Sequence, residues 1–499
     1  MESKQSKIVA QGTFCKNDQT WKIDEQGVLT ISGTGDMEDY HWRDPYMPWL
    51  MCNVPVPITA VVIEEGITSI GNYIFAYCKQ LTSVSIAKSV KRIGTEAFLD
   101  CKKLPSITIP NGVEEICSNV FSGCESLKEL FIPESVSFIS PFAFEHCGSL
   151  KCVQIDENNP YFCYDNDILY NPDKTVLLSC WAFTNLTEVV IPEGVTTIGA
   201  YAFSGCNSLT TISIPNSVTT IGEYAFYGCS GLLSVTIPEG ITAIKEHTFT
   251  GCFQLTAVSI PSSVRYIGSD AFRSCEALSS IIIPEGVTVI NKDTFSNCGA
   301  LVHVVLPTSI KKIEKFAFSW CISLTSIALS KRVAVIDPLS FSGCTALKQV
   351  QIDPKNHYWH SDENGILYNK KKTILFKMWP AAELTEFVIP KGVTTISDSA
   401  FSKCNTLTHV TFPRRIKKIG KEAFRFCKNL TSVTIPKGVT TIAENTFCGC
   451  EKLAHVVLPT SIKKIEKHAF SYCTSLTSIT IPNGIAEIHQ DAFYKSGIS

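Results

Sequence analysis

Residues 206–228 read CNSLTTISIPNSVTTIGEYAFYG, and their phase decides the architecture. The Phe of this unit, Phe226, recurs at 203, 249, 272, 295, 318 and 341. An earlier block carries Phe at 75, 98, 121 and 144, and a later one at 401, 424, 447, 470 and 493. Within each block the spacing is 23 residues without exception. Cys206, Leu209, Ile212, Ile214, Pro215, Val218, Ile221, Gly222 and Ala225 hold the same phase. Strict self-similarity over so many copies is the signature of a solenoid. A single unit buries too few apolar side chains to offset the ordering of its own backbone. It folds only when stacked between copies that cover its apolar edges and pair its strand.

Within the unit, Leu209 to Ile214 reads as a short strand with Leu209, Ile212 and Ile214 inward, and Pro215 ends it by removing a ladder donor. Val218 to Ile221 is a second short extended piece. Gly222 turns the chain, and Glu223 to Gly228 has room for one helical or 3-10 turn that buries Ala225 and Phe226. The expected fold is therefore an α/β, strongly β-rich, right-handed solenoid: each coil is a strand, a second short strand and a helical turn.

The repeating L-x2-I-x-I-P-x2-V-x2-I-G-x2-A-F unit resembles that of the BspA-like leucine-rich repeats, a bacterial and protozoan family. The likeness spans about residues 58–499, and it implies a surface or secreted protein of adhesive character. Residues 1–57 are similar to the family's leading cap, through TWKIDEQGVLTISGTGDM and then Trp42, Pro48 and Trp49. In this cap Thr20 to Asp24 and Val28 to Ser32 read as a hairpin around Gly27, whose physical task is to cover the first coil's apolar end.

Two interruptions break the rhythm: 59 residues separate Phe144 from Phe203, and 60 separate Phe341 from Phe401. Both contain a variant of V-Q-I-D-x3-N-x-Y, then I-L-Y-N, then K-T-x-L. Each reads as one coil carrying a hairpin insertion, near 156–185 and near 353–383. Ile168–Asn171 is expected to pair with Val176–Ser179, and Ile366–Asn369 with Thr373–Phe376.

The 499 residues carry 44 basic and 46 acidic side chains, a formal charge of −2, with 45% apolar residues, which excludes a disordered chain. The charges are unevenly placed: residues 1–250 are net −13 and residues 251–499 net +11. Few aromatic rings lie between the Lys and Arg residues, so nucleic acid is not an expected partner. No stretch approaches the roughly 20 apolar residues of a membrane span. The opening MESKQSKIVAQGTF has no apolar h-region, so export is expected only through a leader absent from this sequence, with a cytoplasmic protein as the alternative.

Fifteen of the 22 Cys fall three residues after the repeat Phe, from Cys78 to Cys473, and form a ladder of buried free thiols donating weakly to backbone carbonyls. Parallel side chains on stacked coils resist the torsion of a disulfide and do not converge on a tetrahedral metal site. A Cys15–Cys52 bond inside the cap stays open. His357 and His360 could share a transition metal if Asp362 approached, but nothing fixes that third ligand, and a solvated loop is the plainer reading. No phosphate-binding, zinc-protease, dinucleotide or nucleophile-elbow motif is present, so neither an enzyme nor a cofactor is expected.

Small hydroxylic residues dominate the outward strand positions, as in Ser83, Ser85, Thr211, Ser213, Ser432 and Thr434. Aromatic residues suited to anchoring a partner are denser in the insertions: Tyr161, Phe162 and Tyr164, then Tyr358, Trp359 and Trp379, with His360 beside them. The expected function is a cell-surface or secreted protein-interaction and adhesion module, monomeric, binding host extracellular-matrix or bacterial-surface protein. A structural or intracellular scaffold and a glycan binder are the alternatives.

Overall fold

The computed structural model describes residues 6–14, 18–41, 49, 56–181 and 184–498. The chain is a β-solenoid of about 19 turns at a spacing of about 23 residues, and it divides into two compact units, Met1–Leu232 and Leu233–Ser499.

The first unit opens with an antiparallel meander of Ile8–Thr13, Thr20–Asp24 and Val28–Ser32; the first of these strands was not visible in the sequence. Val28–Ser32 then runs parallel to Ala60–Ile63, which pairs with Ser83–Ser85. The cap is thus the end of the solenoid's own first sheet. A second parallel ladder joins Ile67–Ile70, Arg92–Ile93, Glu115–Ile116 and Phe138–Ile139, with Ile70, Ile93, Ile116 and Ile139 in register. The second unit repeats both ladders at the same offset, for example Val433 opposite Val456 and Ile442 opposite Ile465. A constant register keeps every Leu and Ile column pointing inward, because a slip of one residue would turn each side chain to the opposite face.

The third side of the coil departs from expectation. Past residue 56 the described residues contain no α-helix, and 3-10 geometry occurs only at Thr184 and Pro380–Ala382. Two residues in nearly every coil take positive φ, two positions before and two after the repeat Phe: Tyr73 (58°) and Tyr77 (62°), Glu96 (56°) and Asp100 (57°), Tyr224 (57°) and Gly228 (70°). This alternation breaks any right-handed run. It lets the backbone divide its hydrogen bonds: Phe75 N donates to Ala97 O of the next coil (2.9 Å), while Cys78 N donates to Phe75 O within its own (3.2 Å). A helix would have satisfied each coil alone, whereas these turns stitch neighbouring coils together.

The repeat Phe rings form a column through each core. In the first unit Trp49 stacks on Phe75 (5.8 Å, 9°), followed by Phe98, Phe121 and Phe144 at 5.3–6.0 Å. In the second the rings from Phe249 to Phe341 stack at 5.4–5.5 Å. The thiols form a parallel column. Cys101 Sγ donates to Phe75 O (3.3 Å), Cys298 Sγ to Phe272 O (3.1 Å) and Cys473 Sγ to Phe447 O (3.1 Å), always to the carbonyl 26 residues back. The 20 cysteines among the described residues are all free. Cys15 and Cys52 lie outside the described residues.

Candidate interaction site on the insertions

Each insertion is launched by one asparagine. Asn356, fully buried, donates through Nδ2 to Ser330 O and Val333 O (both 3.0 Å). Its Oδ1 accepts from Tyr358 N (2.8 Å) and Trp359 N (2.9 Å). Asn159 repeats the arrangement, with Nδ2 on Pro133 O and Val136 O and Oδ1 on Tyr161 N and Phe162 N. Ordinary coils close the same turn with a Ser hydroxyl, as Ser309 does on Val287 O (2.6 Å). The longer amide side chain reaches both the previous coil and the departing backbone, so it sets the direction in which the insertion leaves.

The expected hairpins form. Ile168–Tyr170 pairs antiparallel with Val176–Cys180, and Leu367–Asn369 with Ile374–Lys377, each with one register shift. A third strand, not foreseen, extends each hairpin on its outer side: Cys163–Asp165 and Trp359–Ser361. Val176–Cys180 and Ile374–Lys377 run on in parallel into the solenoid's second ladder. The insertions are therefore lateral extensions of that sheet.

The structure separates the candidate residues by role. Tyr161 and Tyr358 stand at matched positions, 48% and 53% exposed. Trp359 and Phe162 are half-buried; the Trp359 ring packs edge-on against Phe376 at 4.7 Å. Tyr164 lies 5.8 Å from Trp181 and donates to Asp167 Oδ1 (3.3 Å), and burial pushes its phenol pKa up. His360 is half-buried on the third strand, and burial, then the Lys372 ammonium, lowers its pKa.

Trp379 is a correction. Only 1% exposed, it donates Nε1–H to Gly365 O (2.8 Å) and meets Phe341 edge-on at 5.6 Å and 86°. Its counterpart Trp181 meets Phe144 at 5.1 Å and 90°. Each Trp occupies the Phe column where an insertion suspends the 23-residue phase, so Trp379 is core and presents no ring to a partner.

Around these rings the charged groups are largely committed. Asp362 accepts from Asn364 N, Ile366 N and the Tyr368 hydroxyl, which ties it to its own turn. Among the described residues no three His, Cys, Asp or Glu side chains gather as a metal site. Lys377 is buried and donates to Ser399 O (2.6 Å); burial lowers its pKa.

Two surface features escaped the sequence reading. The threonines just ahead of the hydroxylic face are structural, since Thr82, Thr210 and Thr408 Oγ1 donate to the carbonyl of the preceding coil at 2.8–3.0 Å. The same face also carries exposed apolar residues two positions before the strand-ending Pro, among them Ile282 (68%) and Val305 (54%), which are register partners. That fixed offset from Pro284 and Pro307 was the available signal.

Among the described residues no helix is long and apolar enough to cross a membrane. No curated protein matches the chain. A leucine rich cell surface protein from Faecalibacterium prausnitzii A2-165 is 31% identical over 66% of this chain and 94% of its own length, with a TM-score of 0.55. A leucine-rich repeat protein from Eubacterium ventriosum is 24% identical over 98% of this chain and 96% of its own (TM-score 0.40). The pneumococcal vaccine antigen PcpA is 15% identical over 83% and 100% (TM-score 0.44). The BspA type leucine rich repeat region matches residues 53–167, 174–301, 267–363 and 372–499. With that match covering most of the sequence and the parallel ladders, Phe column and thiol column built on its period, the chain belongs to the BspA-type leucine-rich repeat family.

Proposed function

We propose that this protein is a non-enzymatic interaction and adhesion module, exposed on a bacterial surface or secreted, that binds protein partners through its insertions. The observation that carries the reading is the paired display of Tyr161 and Tyr358. Each ring is exposed while its backbone is held by a buried asparagine, so a partner meets a side chain mounted on backbone that needs no further ordering. Tyrosine is among the residues that dominate binding energy when a partner buries them. The surface location is supported by the cell surface protein from F. prausnitzii, and a signal peptide encoded upstream of the sequence in its native gene would agree with it.

The test is capture of host extracellular-matrix proteins and mucins by the wild type and by a Tyr161→Ala/Tyr358→Ala variant. Loss of affinity by about tenfold or more, at unchanged melting temperature, is the expected result. Full binding by the folded double variant would remove the insertions from the interface.

A further inference from the structure

Independently of the insertions, the second unit carries a row of cations that the fold does not use. Lys391, Arg414 and Lys437 occupy the same turn position on three successive coils, 23 residues apart. Arg415 adjoins Arg414, and Lys417 and Lys418 follow, Lys418 opening the second strand of the middle coil. All six are exposed, and their charged ends make no ion pair or hydrogen bond among the described residues. The acids of these coils are engaged elsewhere: Glu422 with Arg425 (3.0 Å), Glu444 with Lys421 (3.1 Å) and Glu451 with Lys428 (2.9 Å). Asp398 accepts from Lys421 N and Glu466 from Glu444 N. Lys417, Lys418, Lys421, Thr440 and Thr441 line a surface depression of about 430 Å³ together with Asp398 and Glu466.

Most surface cations of a folded protein find a carboxylate or lie scattered. Here the coil spacing, about 4.8 Å between parallel strands, sets unpaired charges in a line. Such a row fits a linear polyanion whose charges recur along its length, and it concentrates positive potential where a single lysine would be screened. Segments 390–395, 413–418 and 436–441 hold no aromatic residue, so nothing offers a base a stacking platform. An acidic polypeptide would gain by adding a strand to a free edge. Thr395–Ile396 is already paired on both sides, with Ile374–Lys377 and Lys418–Ile419, and the coil that carries Lys418–Ile419 is covered in turn by the next one, Phe424 N donating to Thr446 O (2.8 Å). Beside the cations stand Gly392, Thr394, Thr395, Gly438, Thr440 and Thr441, giving a low relief with hydroxyl partners. We propose that this strip binds an anionic polysaccharide, a chain bearing sulfates or uronates along its length.

The experiment measures binding of size-defined heparin, chondroitin sulfate and hyaluronan to the full chain in 150 mM salt. Binding of heparin or chondroitin sulfate without hyaluronan identifies sulfate as the recognised group; binding of hyaluronan as well identifies the uronate. Lys391→Glu/Arg414→Glu/Lys437→Glu should weaken binding at least tenfold. A control with the same charge change at exposed lysines of the same unit, Lys315→Glu/Lys452→Glu/Lys467→Glu, should stay within about twofold of wild type. The matching Gln triple at 391, 414 and 437 provides a milder loss should the Glu triple fail to fold. The proposal is overturned by absence of binding to all three polymers, by equal loss in the control triple, or by single-stranded DNA binding as tightly as heparin through the same residues.

Discussion

A column of one side chain per coil makes each residue's chemistry collective. Burial pushes the thiol of Cys298 up to about 12, and that of Cys404 likewise, so these two stay protonated, and the buried ladder as a whole packs as small apolar groups with a weak donor to the carbonyl 26 residues back. The ladder thiols of native protein are therefore expected to ignore a disulfide reagent such as DTNB at pH 8 and to react when guanidinium is added; rapid reaction of most of them in native buffer would contradict the column. Asn356 has a different job, since its loss strands two carbonyls and two amides at once. Asn356→Ala should cost about 2 kcal/mol or more, at roughly 1–3 kcal/mol for each buried group left unpaired, and denaturant unfolding would show it. The cysteine column was legible from spacing alone because one phase governs it. Trp379 was not: a surface anchor and a core ring look alike until a neighbour is seen to cover them.

At the scale of the element, the Phe column holds coils together as much as the ladders do. Phe295, stacked between Phe272 and Phe318, has no exposed surface, and Phe295→Ala should cost about 3–5 kcal/mol, readable by chemical denaturation. The strand carrying Lys377 gives a pH-dependent prediction. Its folded pKa is lowered by burial, so between that value and the unfolded 10.5 the unfolded chain binds more protons and stability rises with pH. Lys377→Met should therefore flatten the rise towards pH 10, since it removes the group that titrates. Melting curves from pH 7 to 10 check this, and a variant whose stability rises with pH as steeply as the wild type's would refute the argument. Strand pairing within the hairpins was legible because I-L-Y-N and K-T-x-L alternate across a short turn. The third strands, Cys163–Asp165 and Trp359–Ser361, were not, since three mixed residues have no periodicity to read.

At the scale of the whole chain, each coil touches chiefly the coils before and after it, so stability is a sum of units and interfaces. Phe98→Ala is accordingly expected to speed amide hydrogen exchange mainly in the flanking coils of the first unit, with slow exchange kept in coils far along the sequence. Uniform acceleration through all coils would show a single cooperative block instead. The sequence by itself determined the period, the two strand positions, the inward columns and the sites where insertions break the phase, because those features repeat and burial enforces them in every copy. Tertiary structure alone decided that the third side is a chain of left-handed turns, that Trp379 faces inward while Tyr358 faces out, and that six cations are left without acids. Those outcomes depend on which groups from neighbouring coils compete for the same hydrogen bonds, space and charge, and pairing of that kind exists only once the coils are stacked.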